Sequence, residues 1–368
     1  MSEPGSLRAR TTRSAAVAVA LVALVGCTAP APAGPSVAST SSAGASASDR
    51  APQPGTTSAS PASPTPSATA AALPPVTDAV SLPALMREEI RGSGLRLGRV
   101  LDRTGAYTRY AVTYRADDLR ISGVMNVPRG TGPFPVVVLL HGYIDPRVYV
   151  TGQGYRREQD SLARNGYVAL HVDYRNHAGS DDDPRNDLDV RTGYTRDAIA
   201  AVEAVKASEL PFLDGERIGL IGRSMGGGVA FNALAVRPGL VDAAITYASV
   251  STDAVDNYER FIRGESEDAA LVRRIEREHG SPEDAPGFWR GVSVRNYLDR
   301  ITTPVMVHHG VKDDTCPIAW SRATVRALRA ADGDVTYHEY AGEGHYFYGG
   351  WARSMQRTLA FLDEHLRA

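Results

Sequence analysis

The chain has 368 residues, of which 43% are hydrophobic and 22% charged, and its formal charge is −2 at pH 7. That apolar content suffices for at least one large buried core and predicts a folded, enzyme-like body. The near-zero charge gives no indication of a basic binding surface, so we expect no nucleic-acid partner.

The N-terminal residues predict export. Three arginines in the first 13 residues precede an apolar run over 15–25, which is shorter than the roughly 20 residues of a membrane-spanning helix. Residues 24–27, Leu-Val-Gly-Cys, resemble the bacterial lipobox, whose cysteine becomes the lipidated first residue of the mature protein. We therefore predict a lipoprotein signal peptide over 1–27 and an extracytoplasmic, membrane-anchored protein lipidated at Cys27. A secreted protein, cleaved elsewhere, is the alternative.

Residues 28–80 predict a disordered tether. They consist almost wholly of Ala, Ser, Pro, Thr and Gly, and such a segment lacks the apolar side chains that offset the entropy cost of ordering. Only one further cysteine, Cys316, follows. If Cys27 is lipidated, no disulfide and no thiolate zinc site can form in the mature body. We predict neither a metal nor a cofactor.

Residues 81–368 predict one α/β domain. Two strand-like runs, Tyr107–Arg115 and Leu119–Val127, predict an antiparallel hairpin. Strand-like and helix-like segments then alternate, which predicts a mostly parallel central sheet with helices on both faces. Residues 251–300 interrupt this alternation with a charged, helical insertion, which is either a solvated face or a cap. The alternating segments are strand Pro135–Leu140, helix Tyr155–Arg164, strand Tyr167–Tyr174, helix Arg196–Ala207, strand Arg217–Ile221, helix Gly226–Arg237, strand Ala243–Ala248, strand Val305–His309, helix Ala319–Ala331, strand Val335–Tyr340 and helix Trp351–Leu366.

The glycine-rich stretch over 219–228, GLIGRSMGGG, lies between a predicted strand and a predicted helix. A Walker loop would need a lysine after Gly227, and a dinucleotide fingerprint would need glycine at Phe231, so both phosphate-binding motifs fail. The pattern Gly222-x-Ser224-x-Gly226 instead predicts a nucleophile elbow, in which the serine occupies a strained turn. Such a turn directs the backbone N–H of Met225 towards the oxygen that becomes negative during attack.

A serine nucleophile needs a base to take its proton and an acid to orient that base. In folds with this type of elbow, the acid follows the serine along the chain and the histidine follows the acid. His345 follows the last predicted strand and is the candidate base, whereas His308, His309 and His338 are expected to be structural. The acid is Asp313 or its neighbour.

Asp313 is the better placed acid because it lies three residues after Gly310 and four before Pro317. Asp314 is better explained as a loop cap. Cys316 is expected to be a small packing residue, because Ser224 already occupies the elbow.

Together with the sequence LLHGYIDP at 139–146, Ser224, Asp313 and His345 resemble the α/β-hydrolase superfamily over residues 105–368. The similarity is greatest to the catalytic domain of the prolyl oligopeptidase family and its dienelactone-hydrolase-like relatives. That resemblance implies that Tyr143, the residue after His-Gly, donates a second N–H to the oxyanion. It also implies that the loop over 173–183 shapes the mouth of the site; its three consecutive aspartates are expected to be solvated.

These features predict a secreted or membrane-tethered serine hydrolase that cleaves an acyl ester or a peptide bond through an acyl-enzyme. Peptidases of this family usually carry a β-propeller ahead of the hydrolase domain, whereas here a tether and one hairpin are expected. A carboxylesterase without peptidase activity therefore stays open. A catalytically silent lipoprotein that binds envelope ligands, which is a binding protein and not an enzyme, also stays open.

Overall fold

The protein is described by a computed structural model over residues 72–264 and 269–367. The predicted signal peptide, Cys27 and the predicted tether as far as residue 71 lie outside the described residues and remain predictions. Within the described part of the chain, no helix has both the length and the apolar character needed to cross a membrane.

Nine strands of the described chain form a single sheet in the order β1-β2-β3-β5-β4-β6-β7-β8-β9. Strands β1 to β3 are antiparallel, and β3 also pairs antiparallel with β5; all the other neighbours are parallel. The strands are β1 Gly92–Arg103, β2 Tyr107–Ala116, β3 Leu119–Pro128, β4 Phe134–Leu140, β5 Val168–Val172, β6 Leu213–Arg223, β7 Ala243–Tyr247, β8 Val305–Gly310 and β9 Val335–Tyr340.

Helices connect and cover the strands. They are α1 Leu82–Leu85, α2 Arg156–Arg164, α3 Gly193–Lys206, α4 Met225–Val236, α5 Ala254–Tyr258, α6 Ala269–His279, α7 Pro286–Val292, α8 Ile318–Ala330 and α9 Trp351–Leu366, with a π-helix at Glu259–Arg263 and a 3-10 helix at Val294–Arg300.

The central strand β4 shows how the sheet is buried on both faces. Val136, Val138 and Leu140 belong to a core shared with α3, α4 and α8, whereas Val137 and Leu139 belong to a second core with α2 and α9. Each such side chain contributes about 1.5–3 kcal/mol when it leaves water. The predicted mostly parallel sheet with helices on both faces is confirmed.

The predicted hairpin is present as β2 and β3, but the strand β1 that precedes it was missed. Nine of the twelve residues of β1 are exposed, and its pairing with β2 is interrupted by three register shifts. An irregular edge strand of this kind has no apolar alternation, which is the signal that a sequence offers for a strand.

The predicted helical insertion over 251–300 is also present, as α5, the π-helix, α6, α7 and the 3-10 helix. It has a small core of its own, in which Tyr258, Ile275, Phe288 and Trp289 are buried together. Its charged residues lie around this core; Arg263, for example, pairs with Glu276 at 2.8 Å.

The start of α4 passes unusually close to the sheet. A Cβ atom at Gly226 would lie 2.0 Å from the carbonyl oxygen of Leu140, and one at Gly222 would lie 2.2 Å from the carbonyl oxygen of Gly226. Gly227 and Gly228 approach the loop after β7, with Ser249 and Val250 at 2.7 and 2.6 Å from the corresponding Cβ positions.

Substitution of Gly226 by alanine is expected to lower the free energy of unfolding by about 3 kcal/mol, because its methyl group would meet backbone atoms that cannot move away. Equilibrium unfolding of the protein in urea measures this free energy. Gly105→Ala is the matched control, since no atom lies within 4 Å of its Cβ position. A stability of Gly226→Ala equal to that of the control would contradict the close approach.

Candidate active site

Ser224 occupies a strained turn between β6 and α4. Its φ of 56° and ψ of −124° lie outside the regions that L-residues favour, and residues in such conformations concentrate at functional sites. The turn is held from both sides: the Ser224 N–H donates to the Tyr247 carbonyl at 3.0 Å, and its own carbonyl accepts from Gly227 and Val250. This is the geometry that the elbow motif predicts.

The structure brings Asp313, rather than its neighbour Asp314, to His345. The two residues follow the adjacent parallel strands β8 and β9, and His345 Nδ1 lies 2.9 Å from Asp313 Oδ2. The side chain of Asp314 makes only a 3.4 Å contact with Thr315, while its backbone carbonyl accepts from Arg260.

The Asp313 carboxylate is buried but well supplied with donors. The backbone N–H groups of Thr315 and Cys316 donate to Oδ1 at 2.9 and 2.8 Å. Burial by itself raises the pKa of Asp313, but hydrogen bonds from His309, His345 and the Cys316 N–H outweigh it and hold that pKa well below its usual range. Asp313 is therefore ionised at neutral pH and can stabilise a positive charge on His345.

Ser224 and His345 line the same cavity, which has a volume of about 1080 Å³. The Ser224 hydroxyl makes no hydrogen bond to His345; it contacts the Cys316 thiol, with Oγ and Sγ 3.9 Å apart. Hydrogen bonds between catalytic groups are often long until substrate binds. Burial raises the pKa of Cys316 to about 12, so the thiol is neutral and fits a packing role.

Met225 and Tyr143 also line this cavity. The backbone N–H groups of both residues donate to no other described residue. A Cβ atom at Gly142 would lie 3.0 Å from Ser224 Cβ, so the segment that carries Tyr143 runs directly past the serine. Both donors are thus free to meet an oxygen beside Ser224.

The segment with Tyr143 is fixed by Asp173, a residue whose role the sequence did not suggest. Asp173 is fully buried and accepts hydrogen bonds from Tyr149, the Gly152 N–H and Ser122 at 2.7, 2.9 and 2.7 Å. Its backbone carbonyl lies 3.1 Å from the His141 ring. The carboxylate thereby joins β3 and the end of β5 to the loop after β4.

Arg223, the residue before Ser224, is also buried. It pairs with Glu158 of α2 at 2.9 Å, and the indole N–H of Trp351 in α9 donates to the same glutamate oxygen at 2.9 Å. No local pattern relates these three residues, because they come from three distant parts of the chain. The pair ties the elbow to both helices on one face of the sheet.

A second arginine stands at the mouth of the cavity. The Arg191 guanidinium lies over the Tyr143 ring, 4.4 Å from its centre, and is held by Asp187 at 2.8 Å. Both Val190 and Arg191 have positive φ angles, 45° and 63°. The strained turn therefore fixes the side chain of Tyr143.

The insertion forms one wall of the cavity. Its side chains there are mostly apolar or aromatic, which favours the cap interpretation over a wholly solvated face. They include Tyr258, Phe261, Ile262, Trp289 and Val292.

Side chains of the types that bind metal ions come together once within the described residues, outside the lining of this cavity. Single ligand atoms of Asp189, Glu278 and His279 lie within 4.8 Å of one another. Arg185 bridges the two carboxylates, 2.7 Å from Asp189, so a cation already neutralises them. In the 173–183 loop, Asp181 pairs with Arg120 at 3.4 Å and Asp183 with Arg175 at 2.8 Å.

Comparisons with known proteins agree with this geometry. The family model described as "Prolyl oligopeptidase family" matches residues 153–368, more than half of the chain. Among solved structures, the acetyl xylan esterase from Paenibacillus sp. R4 superposes with a TM-score of 0.58 at 22% identity, covering 77% of this chain and 92% of that one, which shows a shared fold.

Two curated relatives are similar in sequence. An uncharacterised peptidase, YuxL of Bacillus subtilis (strain 168), is 27% identical over 263 residues, which are 68% of this chain and 38% of that protein. The esterase LipC of Mycobacterium tuberculosis is 30% identical over 235 residues, which are 59% of this chain and 54% of that protein. This chain thus spans less than two thirds of the length of either relative. From the family match, the chain belongs to the prolyl oligopeptidase family and is a serine hydrolase of the peptidase or esterase type.

Proposed function

We propose that this protein hydrolyses an acyl ester or peptide bond with Ser224 as nucleophile, His345 as base and Asp313 as the acid that orients it. The observation that carries the proposal is the bond from His345 to the ionised Asp313, in the cavity onto which the strained Ser224 opens.

The reaction has two halves. Ser224 Oγ attacks the carbonyl carbon while its proton passes to His345, and Asp313 stabilises the imidazolium that forms. Collapse of the tetrahedral intermediate transfers that proton to the leaving alcohol or amine and leaves an acyl-serine. Water, deprotonated by His345, then releases the acid and restores the serine. The N–H groups of Met225 and Tyr143 stabilise the oxyanion, and each such donor is worth about 2.7–4 kcal/mol.

The cavity supports a substrate that is largely uncharged. The arginines Arg191 and Arg223 are each matched by a carboxylate, Asp187 and Glu158. The wall from the insertion is apolar, so a bulky apolar group fits there. The relatives carry both descriptions, peptidase and esterase. A carboxylesterase without peptidase activity is therefore the second candidate within the same chemistry.

We propose further that the enzyme works at the outer side of a membrane, held by lipid on Cys27. The lipobox at 24–27 and the tether over 28–80 support this. Each CH2 group of an acyl chain contributes about 0.8 kcal/mol to membrane binding, so two or three chains suffice as an anchor.

Replacing Ser224 with alanine is expected to abolish labelling by a fluorophosphonate probe and turnover of 4-nitrophenyl acetate and of aminoacyl amides. Wild-type turnover of the ester alone would identify an esterase, and turnover of both a peptidase. A wild-type protein that is folded yet neither labels nor turns over any substrate would instead support the silent envelope-binding alternative.

Asp313→Asn is expected to lower kcat/KM by roughly 10⁴-fold, because an amide cannot stabilise the imidazolium. Asp314→Asn is the matched control and should remain close to the wild type. The acid has been misassigned if the two variants give the opposite order in the same ester assay.

Cys27→Ala is expected to remove metabolic labelling by palmitate and to move the protein out of the membrane fraction of a bacterial host. Cys316→Ala serves as the control, since its thiol is buried in the domain. Unchanged labelling of Cys27→Ala would rule out lipidation at that residue.

A further inference from the structure

His309 is the penultimate residue of β8, and its ring is completely buried beside the proposed acid. Its Nε2 atom lies 3.2 Å from Asp313 Oδ2 and 2.8 Å from the carbonyl oxygen of Cys316. Its Nδ1 atom lies 2.6 Å from the hydroxyl of Ser321 in α8. Every polar atom of this ring therefore has a partner.

These partners fix where the proton of the ring is. An ionised carboxylate and a carbonyl can only accept, so Nε2 must carry a hydrogen. The Ser321 hydroxyl can donate to Nδ1, which leaves a neutral ring in one tautomer and one orientation. His309 consequently presents one N–H, without needing a positive charge, to the Cys316 carbonyl at 2.8 Å and beside Asp313 Oδ2 at 3.2 Å.

That N–H completes the surroundings of Asp313. Oδ1 accepts from the backbone of Thr315 and Cys316, while Oδ2 faces His345 at 2.9 Å and His309 at 3.2 Å. The His345 side chain hydrogen-bonds Asp313, whereas the His309 N–H is shared between Oδ2 and the closer Cys316 carbonyl. Oδ2 is therefore shared between the proposed base and a second, fixed histidine.

We propose that His309 is a positioning residue of the active site, which holds Asp313 Oδ2 in the plane of His345 and takes up part of its negative charge. This proposal rests on the proposed roles of Ser224, His345 and Asp313. His309, which the sequence predicts to be structural, also positions Asp313 in this proposal.

The sharing has a defined consequence for His345. A carboxylate that also faces the His309 N–H presents less of its negative charge to an imidazolium at His345. If the His309 donor is lost, the charge on Asp313 acts on His345 alone. The acid limb of the rate profile, which reports the protonation of the base, then moves to higher pH.

Other titratable groups near His309 have partners of their own. Glu339 is the register partner of His309 in the neighbouring strand β9, and its carboxylate pairs with Arg322 of α8 at 2.7 Å. The Cys316 thiol is neutral because burial raises its pKa to about 12. A shift of the acid limb on substitution of His309 therefore reports on the Asp313–His345 pair.

The test compares His309→Leu, which removes the donor, with His309→Gln, whose amide can donate from nearly the same position. The readout is the rate of Ser224 labelling by a fluorophosphonate as a function of pH, which needs no knowledge of the natural substrate. His338→Leu is the matched control, because His338 lies on β9 and does not contact Asp313.

We expect His309→Leu to slow labelling by about 10- to 100-fold, as a misplaced acid would, and to move the acid limb to higher pH. His309→Gln should restore both rate and limb towards the wild type, and His338→Leu should change neither. A folded His309→Leu with wild-type rate and profile would overturn the proposal. So would a His309→Gln variant as slow as His309→Leu with an unshifted limb, since that shows only a packing role.

If His309→Leu does not fold, Ser321→Ala carries the test: release of the ring should shift the acid limb in the same direction, and an unshifted limb overturns the proposal. Labelling of Ser224→Ala distinguishes failure of the proposed function from failure of the positioning role alone. If it labels like the wild type, the proposed function fails; if it is silent while the His309 variants keep the wild-type profile, the positioning role alone fails.

Discussion

The close approach of α4 to the carboxyl end of the sheet is the constraint on which the site depends. Gly222 and Gly226 leave no room for side chains, with backbone oxygens 2.2 and 2.0 Å from their Cβ positions. Since the chain must turn within one residue between strand and helix, Ser224 takes a left-handed φ. The same turn leaves the Met225 N–H, at the positive end of the helix dipole, without a partner among the described residues.

The remaining groups reach this point because parallel strands end at one edge. The loops after β4, β8 and β9 bring Tyr143, Asp313 and His345 to the turn from separate parts of the chain. Burying the Asp313 charge is costly unless donors replace its water. The Thr315 and Cys316 N–H groups and His345 do so, and the His309 N–H lies beside them. The insertion joins the same loop, since Arg260 donates to the Thr315 carbonyl at 2.6 Å.

Features formed by residues close together in the chain could be predicted from the sequence. The elbow can be identified because its two glycines, its serine and the flanking strand and helix all lie within one short stretch. The sheet could be predicted because β4 to β9 have apolar runs. Strand β1 was missed because it is exposed and irregular. The contacts of Gly227 and Gly228 could not be predicted, because the residues they approach, Ser249 and Val250, are some twenty residues further along the chain.

Long-range polar pairs escaped prediction for a similar reason. Arg223 and Glu158 are separated by 65 residues, and neither has a neighbour in sequence that suggests its partner. The choice between Asp313 and Asp314 likewise depended on which carboxylate faces His345. Sequence position favoured Asp313, but only the folded loop brings its oxygens to the imidazole.

The charge balance around Ser224 limits how the oxyanion can be stabilised. Arg223 is the nearest arginine in sequence, but its charge is matched by Glu158 on the same buried face, so it adds little net field at the serine. Arg191 is similarly matched by Asp187. In the proposed mechanism the negative oxygen is therefore met by fixed backbone N–H groups, which lose no partner when they bind it. Because those proposed donors are set by the elbow and by the Asp173-bound loop, we expect the stiffness of these two turns, and not a mobile cation, to govern the stabilisation of the transition state.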